Sequence, residues 1–329
     1  MKAAAYTKSG PPSVLVYQDV PDPVCGPRDI VIDVHAISIE GGDVLSRAGG
    51  MVRPDGQPHV GGYLASGVIC EVGAEVKDRH VGQRVATSAG TGSHAEKRVV
   101  RANVAWPVPD SLDLTLAACI PIPFGTADDC LFEFGRLQAG ESVLIHAGSS
   151  GVGLCAIQLA KRAGATVLAT ASSNEKLERL KEYGLDHGIN YTEGSFVKAA
   201  QELTHGGPNL VIDSVGGKNL ERSMHCAAYR GRIVSMGSAG RDAHSPSLAG
   251  LMGQNKTLIS YYQGAELAAP SQRVRARQNV QRLIGDVAEG RLRVVVDRTY
   301  KLSEAAQAHA YIESRKQFGR VVMIPDERA

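Results

Sequence analysis

The stretch Ala147-Gly148-Ser149-Ser150-Gly151-Val152-Gly153 carries the most chemical information in this sequence. It follows a compact apolar run at 143–147 and precedes an apolar pattern of helical period at 154–162. Small residues at a strand-to-helix turn let main-chain N–H groups approach an anion closely, and the helix N-terminus adds a favourable field. Ser149, Ser150, Gly151, Val152 and Gly153 are therefore candidates for holding the pyrophosphate of a dinucleotide, with Gly153 also letting the helix pack tightly on a sheet. The glycine order is not G-x-G-x-x-G, and the same cluster could make a tight turn with no ligand. Its place between a strand and a helix, at the start of an alternating unit, favours the dinucleotide.

The end of the following strand, at 167–170, tests which nucleotide is bound. A site for NAD usually carries an Asp or Glu about 20 residues after the glycines, on the ribose hydroxyls. Here the chain reads Thr170-Ala171-Ser172-Ser173-Asn174-Glu175-Lys176, and no acid ends the strand. Ser172-x-x-Glu175 reads as a capping box, which gives Glu175 another task. Ser172 and Lys176 are then available to a 2′-phosphate, one as a donor and the other as a point charge. A solvated helix lysine is the alternative for Lys176. The expected cofactor is NADPH rather than NADH.

These residues need elements to position them, and the chain has three textures. Up to about Ala118, short β-rich runs (30–36, 67–72 and 96–101) are broken by turns at 21–27, 49–62 and 107–109, which suggests a distorted barrel or sandwich. From 122 to 264, strands at 143–147, 167–170, 188–190, 210–213, 232–236 and 257–261 alternate with helical patterns, which implies a parallel sheet covered on both faces. The tail holds a long polar helix, a strand near 293–300, a helix beginning at Ser303 and a last strand at 320–324. It reads as completing the first zone.

The expected architecture is α/β: a Rossmann doubly wound parallel sheet domain at 122–264, and a distorted β-barrel made of 1–121 completed by 265–329. With 329 residues, 43% apolar content and a formal net charge of +2, two domains fit, and nothing points to nucleic acid or an anionic membrane as a partner. No stretch approaches the ~20 apolar residues of a membrane span, and the first ten residues lack a signal-peptide core. A cytoplasmic location is expected. The six cysteines show no Cys-x-x-Cys pair and read as reduced, buried thiols.

Together the motifs resemble the medium-chain dehydrogenase/reductase superfamily, and within it the zinc-independent quinone oxidoreductase (zeta-crystallin-like) branch. The resemblance rests on Gly67-Val68-Ile69-Cys70-Glu71-Val72-Gly73, Val81-Gly82-Gln83-Arg84-Val85, Gly92-Ser93-His94-Ala95-Glu96 and Ile120-Pro121-Ile122-Pro123-Phe124-Gly125-Thr126-Ala127. It continues through Ala147 to Gly153, Asn190-Tyr191, Asp213-Ser214-Val215-Gly216 and Gly231-Arg232-Ile233-Val234-Ser235-Met236-Gly237. It implies a GroES-like catalytic domain with the Rossmann domain inserted, and an active cleft between them. It also implies Thr126, Gly237 and Ser238 near the nicotinamide, Ser150 to Gly153 at the pyrophosphate, and Ser172, Lys176 and Tyr191 around the 2′-phosphate. Ser150 stands where the family pattern has a glycine, so a positive φ there would carry a cost.

The zinc branch of that superfamily has a cysteine and a histidine where this chain has Glu40 and the Tyr63-Leu64 pair. Those residues do not make a catalytic zinc set, and no metal is expected. Quinone oxidoreductases commonly carry Asn and, five residues later, Tyr; here these positions are Glu40 and Leu45. Tyr63 is the nearest substitute donor, though it reads first as a packing residue, with Thr126 or water as other proton sources. Glu40 has a catalytic reading and a structural one, in which it holds Arg47 or a backbone N–H. Asp43 and Arg47 read as a structural pair, and His146 as structural.

The expected function is an NADPH-dependent, zinc-independent reductase of quinones or α,β-unsaturated carbonyls. The alternatives are an enoyl-thioester reductase and a non-catalytic NADPH-binding sensor. RNA binding through Arg273, Arg275, Arg277 and Arg282 is disfavoured, because helical spacing spreads them over more than one face. A homodimer through the edge strand at 257–261 is expected.

Overall fold

The computed structural model describes residues 1–49 and 56–328. The loop expected at 49–62 thus lies partly outside the described residues. The chain forms two units, Pro123–Glu266 and Met1–Ile122 joined by the chain from Leu267 onward.

In the first of these units, six short parallel strands form one sheet whose inner strands, rich in β-branched and aliphatic residues, are buried on both faces. Their order is His187–Asn190, Thr166–Ala171, Ser142–Ile145, Leu210–Asp213, Arg232–Ser235 and Thr257–Ser260, every pair parallel. The chain starts in the middle, winds to one side, then crosses and winds to the other, the doubly wound Rossmann order. The order reverses between Ser142–Ile145 and Leu210–Asp213, so a crevice opens beyond the carboxyl ends of those two strands. His146, just past the first strand, donates its main-chain N–H to Ile212 across this point.

The other unit is built on antiparallel pairing. The ten-residue strand Asp29–Ser38 is its spine, flanked by Leu64–Val72, Lys97–Arg101 and Arg320–Ile324. Arg320–Ile324 pairs in parallel with Val296–Lys301, so two strands from the end of the chain extend the sheet begun near its start. A smaller sheet of Val16–Asp19, Lys2–Tyr6 and His59–Val60 lies beside it. Alternation on the spine sends Ile30, Ile32 and Val34 into the core with Ile69, Val85 and Val100. The helix Arg273–Ala288 belongs to this unit, and the Trp106 indole donates to the Arg277 carbonyl at 3.0 Å. Its arginines are used locally: Arg273 donates to the carbonyls of Leu267 and Ala268, and Arg282 to Asn279 and Asp286.

Several boundaries differ from the sequence expectation. The cradle helix begins at Gly151, a turn earlier than its apolar pattern, because Ser150 supplies the N-cap. Ser150 itself is extended, with φ −75°; the left-handed residue of the turn is Ala147, with φ +52°. The helix after the second strand is capped by Ser173, whose hydroxyl accepts from the Lys176 N–H at 3.3 Å. Ser172 therefore does not form a capping box with Glu175: the helix starts one residue later than that pattern assumed. Ser303 lies in a single tight turn, Leu302–Glu304, before the helix Ala305–Glu313.

Trp106 is 2% exposed, so Trp106→Ala should cost about 3–5 kcal/mol in urea denaturation. Trp106→Phe, which keeps an aromatic ring but loses the hydrogen bond and part of the indole volume, should cost less, about 1–3 kcal/mol.

Candidate functional site

The cradle is defined by how closely its backbone segments meet. A Cβ at Gly153 would sit 2.4 Å from the Ala147 carbonyl oxygen and 2.7 Å from that of Gly148, so only glycine fits. At Gly148 it would meet the Ala169 methyl at 2.8 Å. These contacts pull the helix Gly151–Arg162 onto the turn. The Ser150 hydroxyl accepts from the Gly153 N–H at 3.1 Å. The amides of Gly151 and Val152 are first-turn donors with no carbonyl four residues back inside the helix to accept them. The helix Pro123–Asp128, which carries buried Thr126, packs on this cradle helix.

Around the turn, the carboxyl ends of neighbouring strands bring the other expected residues to the same edge. Tyr191 donates its N–H to the Ala171 carbonyl, which sets the exposed Tyr191 beside exposed Ser172. Lys176 lies in the first turn of the helix Asn174–Leu180. The carboxylate of Glu193 faces away from any anion role: it accepts from the side-chain amides of Asn174 and Asn190. On the other side, a Cβ at Gly216 would lie 3.1 Å from the Ser238 Cα, so the loops holding Gly216 and Gly237-Ser238 are in contact.

A buried network underlies this edge. Asp213, fully buried, accepts from the N–H groups of Val215 and Gly216 and from the side chains of Asn219 and Ser223. Its neighbour His146 bonds Ser223 at one ring nitrogen and Thr170 at the other, each at 3.0 Å. The structural reading of His146 fits this geometry, with burial pushing its pKa down.

In the other unit, Glu40 is not a partner of Arg47. Both its carboxylate oxygens accept from Arg320, which also bonds the Ser38 hydroxyl and the Ile39 carbonyl. Burial raises the Glu40 pKa and the Arg320 charge opposes that. Asp43 and Arg47 do not pair either. Asp43 accepts from the Glu40 N–H at 2.7 Å and faces His94 at 3.9 Å, while Arg47 reaches Glu313, the Gly10 carbonyl and His309. Those partners stand more than 260 residues away for Glu313 and His309, which is why no local pattern announced them. Tyr63 lies along the helix Gly41–Gly49: a Cβ at Gly42 would strike its ring at 2.4 Å, and its hydroxyl meets that of Ser46 at 2.9 Å.

Comparison with known proteins gives the ancestry of both units. Residues 26–110 match the family described as alcohol dehydrogenase GroES-like domain, and residues 151–279 that described as zinc-binding dehydrogenase. Over 98% of its length the chain is 31% identical to a quinone oxidoreductase of Pseudomonas aeruginosa, covering 99% of that protein. The chain belongs to the quinone oxidoreductase branch of the medium-chain dehydrogenase/reductase superfamily. It is 32% identical to a 2-haloacrylate reductase of a Burkholderia species, with 98% of each chain covered. The solved structure of an Escherichia coli quinone oxidoreductase complexed with NADPH superposes with a TM-score of 0.90 at 28% identity, over 99% of this chain and all of that one.

This member of the branch is thus an oxidoreductase with a GroES-like domain and a Rossmann domain. The name of the second family invokes zinc, but the donor set here does not fit one: Leu64 has no donor atom, and both oxygens of Glu40 are taken by Arg320.

Asp43 is 3% exposed, and burial, reinforced by the Glu40 charge, pushes its pKa up to about 7. A raised carboxyl pKa means the folded state holds a proton that the unfolded chain releases, so this group costs stability as pH rises from about 4 to about 7. Asp43→Asn removes that cost. Its stability relative to the wild type should therefore climb through that window, by on the order of 1 kcal/mol per pH unit, in denaturant titrations at matched pH.

Proposed function

We propose that this oxidoreductase takes NADPH and passes hydride to a quinone or an α,β-unsaturated carbonyl without a metal. The observation that carries the reading is the cradle: glycine-only contacts at Gly153 fix a helix N-terminus at the sheet's crevice, beside a strand that is followed by Ser172 and not by an acid. The residues present fit the dinucleotide. The N–H groups of Gly151 and Val152, with Ser149 and Ser150, would hold the pyrophosphate, and Gly153 lets the helix start close enough to the turn for them to do so. Ser172, Lys176 and Tyr191 would hold the 2′-phosphate, and Thr126, Gly237 and Ser238 would position the nicotinamide end.

When bound, the nicotinamide supplies the hydride. What this chain adds is position and a proton. Hydride arriving at carbon sends negative charge to the acceptor's oxygen, where one or two hydrogen bonds suffice to stabilise it. Tyr63, whose hydroxyl is already paired with that of Ser46, is the proposed donor of the proton that completes the reduction of an α,β-unsaturated carbonyl. Glu40 is not given that task, because Arg320 occupies it. The 2-haloacrylate reductase among the relatives supports an activated alkene as one acceptor class. A cytoplasmic enzyme that pairs with a second copy along the outer strand Thr257–Ser260 completes the proposal.

Stopped-flow oxidation of bound NADPH by 9,10-phenanthrenequinone and by simple enones tests the reading. Fast oxidation by either acceptor is expected; binding without oxidation by any acceptor would sink it. Lys176→Ala combined with Ser172→Ala should weaken NADPH binding about 10–100-fold, the loss of charge-assisted bonds to a phosphate, and should change NADH binding less than about threefold. Isothermal titration with both nucleotides measures this difference.

A further inference from the structure

Behind Tyr63 lies a set of buried polar groups that the proposed hydride transfer does not use. Asp43, Ser93, His94 and His309 are at most 3% exposed. Among the described residues, Asp43 Oδ1, Ser93 Oγ, both ring nitrogens of His94 and His309 Nε2 have no hydrogen-bond partner. These atoms converge. His94 Nε2 stands 3.9 Å from the Asp43 carboxylate, and the two imidazoles meet edge to face with centroids 5.2 Å apart. A Cβ at Gly62 would strike Ser93 Oγ at 2.0 Å and His94 Nε2 at 2.8 Å, so the same groups press on the residue before Tyr63.

Buried polar atoms are almost always hydrogen-bonded, directly or through ordered water. Here donors and acceptors are both present. Arg47 Nε donates to His309 Nδ1 at 3.4 Å, which leaves the proton of neutral His309 on the unpartnered Nε2. Asp43 Oδ1 is an acceptor, and Ser93 and neutral His94 offer both kinds of site. An ordered water bridging these groups would satisfy them.

We propose that Asp43, His94, His309 and Ser93 enclose a buried water-linked site that stores one proton and resupplies Tyr63 through Ser46. The route follows the helix Gly41–Gly49: Asp43 and Ser46 are one turn apart on the same face, and Ser46 already bonds the Tyr63 hydroxyl. Electrostatics place the proton on the carboxyl group. Burial takes His94 down to about 3 and His309 well below its usual range, whereas Asp43 rises to about 7. The charged and titratable groups facing Asp43 are Glu40 at the end of the spine strand, Arg320 on the last strand, Arg98 on Lys97–Arg101 and Tyr6 on the first strand. Arg47 lies next along its own helix, and His59 and Arg98 act on His94. Asp43, His94 and His309 act through Tyr63 and are positioning residues rather than catalytic ones.

This deepens the proposed function and rests on it. In enone reduction the β-carbon gains hydride, the alkene electron pair moves towards the carbonyl oxygen, and the α-carbon then takes the Tyr63 hydroxyl proton. The phenolate recovers a proton from Ser46, Ser46 from the store, and the Asp43 carboxylate is refilled from solvent. A quinone differs because its proton goes to oxygen, where water serves. Protonation at carbon is the step that needs a positioned acid.

Two measurements test the proposal. Infrared difference spectra of the wild-type protein against Asp43→Asn should show a carboxylic-acid carbonyl band that titrates near neutrality, with no substrate present; its absence overturns the store. The ratio of enone to quinone turnover with NADPH should fall about tenfold or more in Asp43→Asn and in Ser46→Ala. Ser46→Ala leaves the buried groups in place and so reads the relay even if Asp43→Asn folds poorly. An unmoved ratio in a folded Ser46→Ala protein overturns the relay, as does a wild type that reduces quinones alone. A wild type that oxidises NADPH with neither acceptor overturns the proposed function instead, while the infrared band still decides the store.

Discussion

The contact between Gly153 and the carbonyls of Ala147 and Gly148 sets the geometry on which the cofactor half of the molecule depends. With a hydrogen in place of a side chain, the helix Gly151–Arg162 starts directly on the end of the central strand. That start places first-turn amides at the point where the strand order reverses. The cost of the left-handed Ala147 is accepted at the same turn, and Ser150 is spared it. A strained non-glycine residue at such a position is tolerated where the surrounding structure fixes the backbone. Here the N–H of Ser150 and the side chain of Thr170 both hold Ala147.

The GroES-like unit is organised by a different constraint, the placement of charge inside an apolar core. Glu40, Asp43, Arg47, Arg98, His94, His309 and Arg320 are all buried. Removing such groups from water is expensive unless they are paired and hydrogen-bonded. Arg320 meets that condition through Glu40, and Arg98 meets it in part, donating to the carbonyls of Tyr63, Ala89 and Thr91 while its Nε has no partner. The histidines avoid the charge penalty by staying neutral, although His94 bonds at neither ring nitrogen. Asp43 meets it least well, with one oxygen bonded and the other not. An incompletely satisfied carboxyl group beside two neutral imidazoles is a poor way to gain stability. It is a suitable way to keep a proton near a phenol.

Glu40 shows how a position can keep its place in a family and change its task. Where the zinc branch has a metal ligand and many quinone reductases have an amide, this chain has an acid bound on both oxygens by an arginine from the last strand. The pair joins the start of the chain to its end within one sheet.

The sequence by itself determined the parts that local rules govern. Strand–helix alternation and the small-residue turn identified the parallel sheet and its cradle, because period and side-chain size act over a few residues. The missing acid after Ala171 was equally legible, since the absence of a carboxylate needs no coordinates. Only the tertiary structure decided the partners of the buried charges. Arg320 meets Glu40, and Arg47 meets His309 and Glu313, across more than 260 residues. An Asp and an Arg four apart on one helix read as a pair until distant strands and helices supply better ones. The same holds for His94 and His309, which look unremarkable in the sequence and become a site only when the fold closes over them.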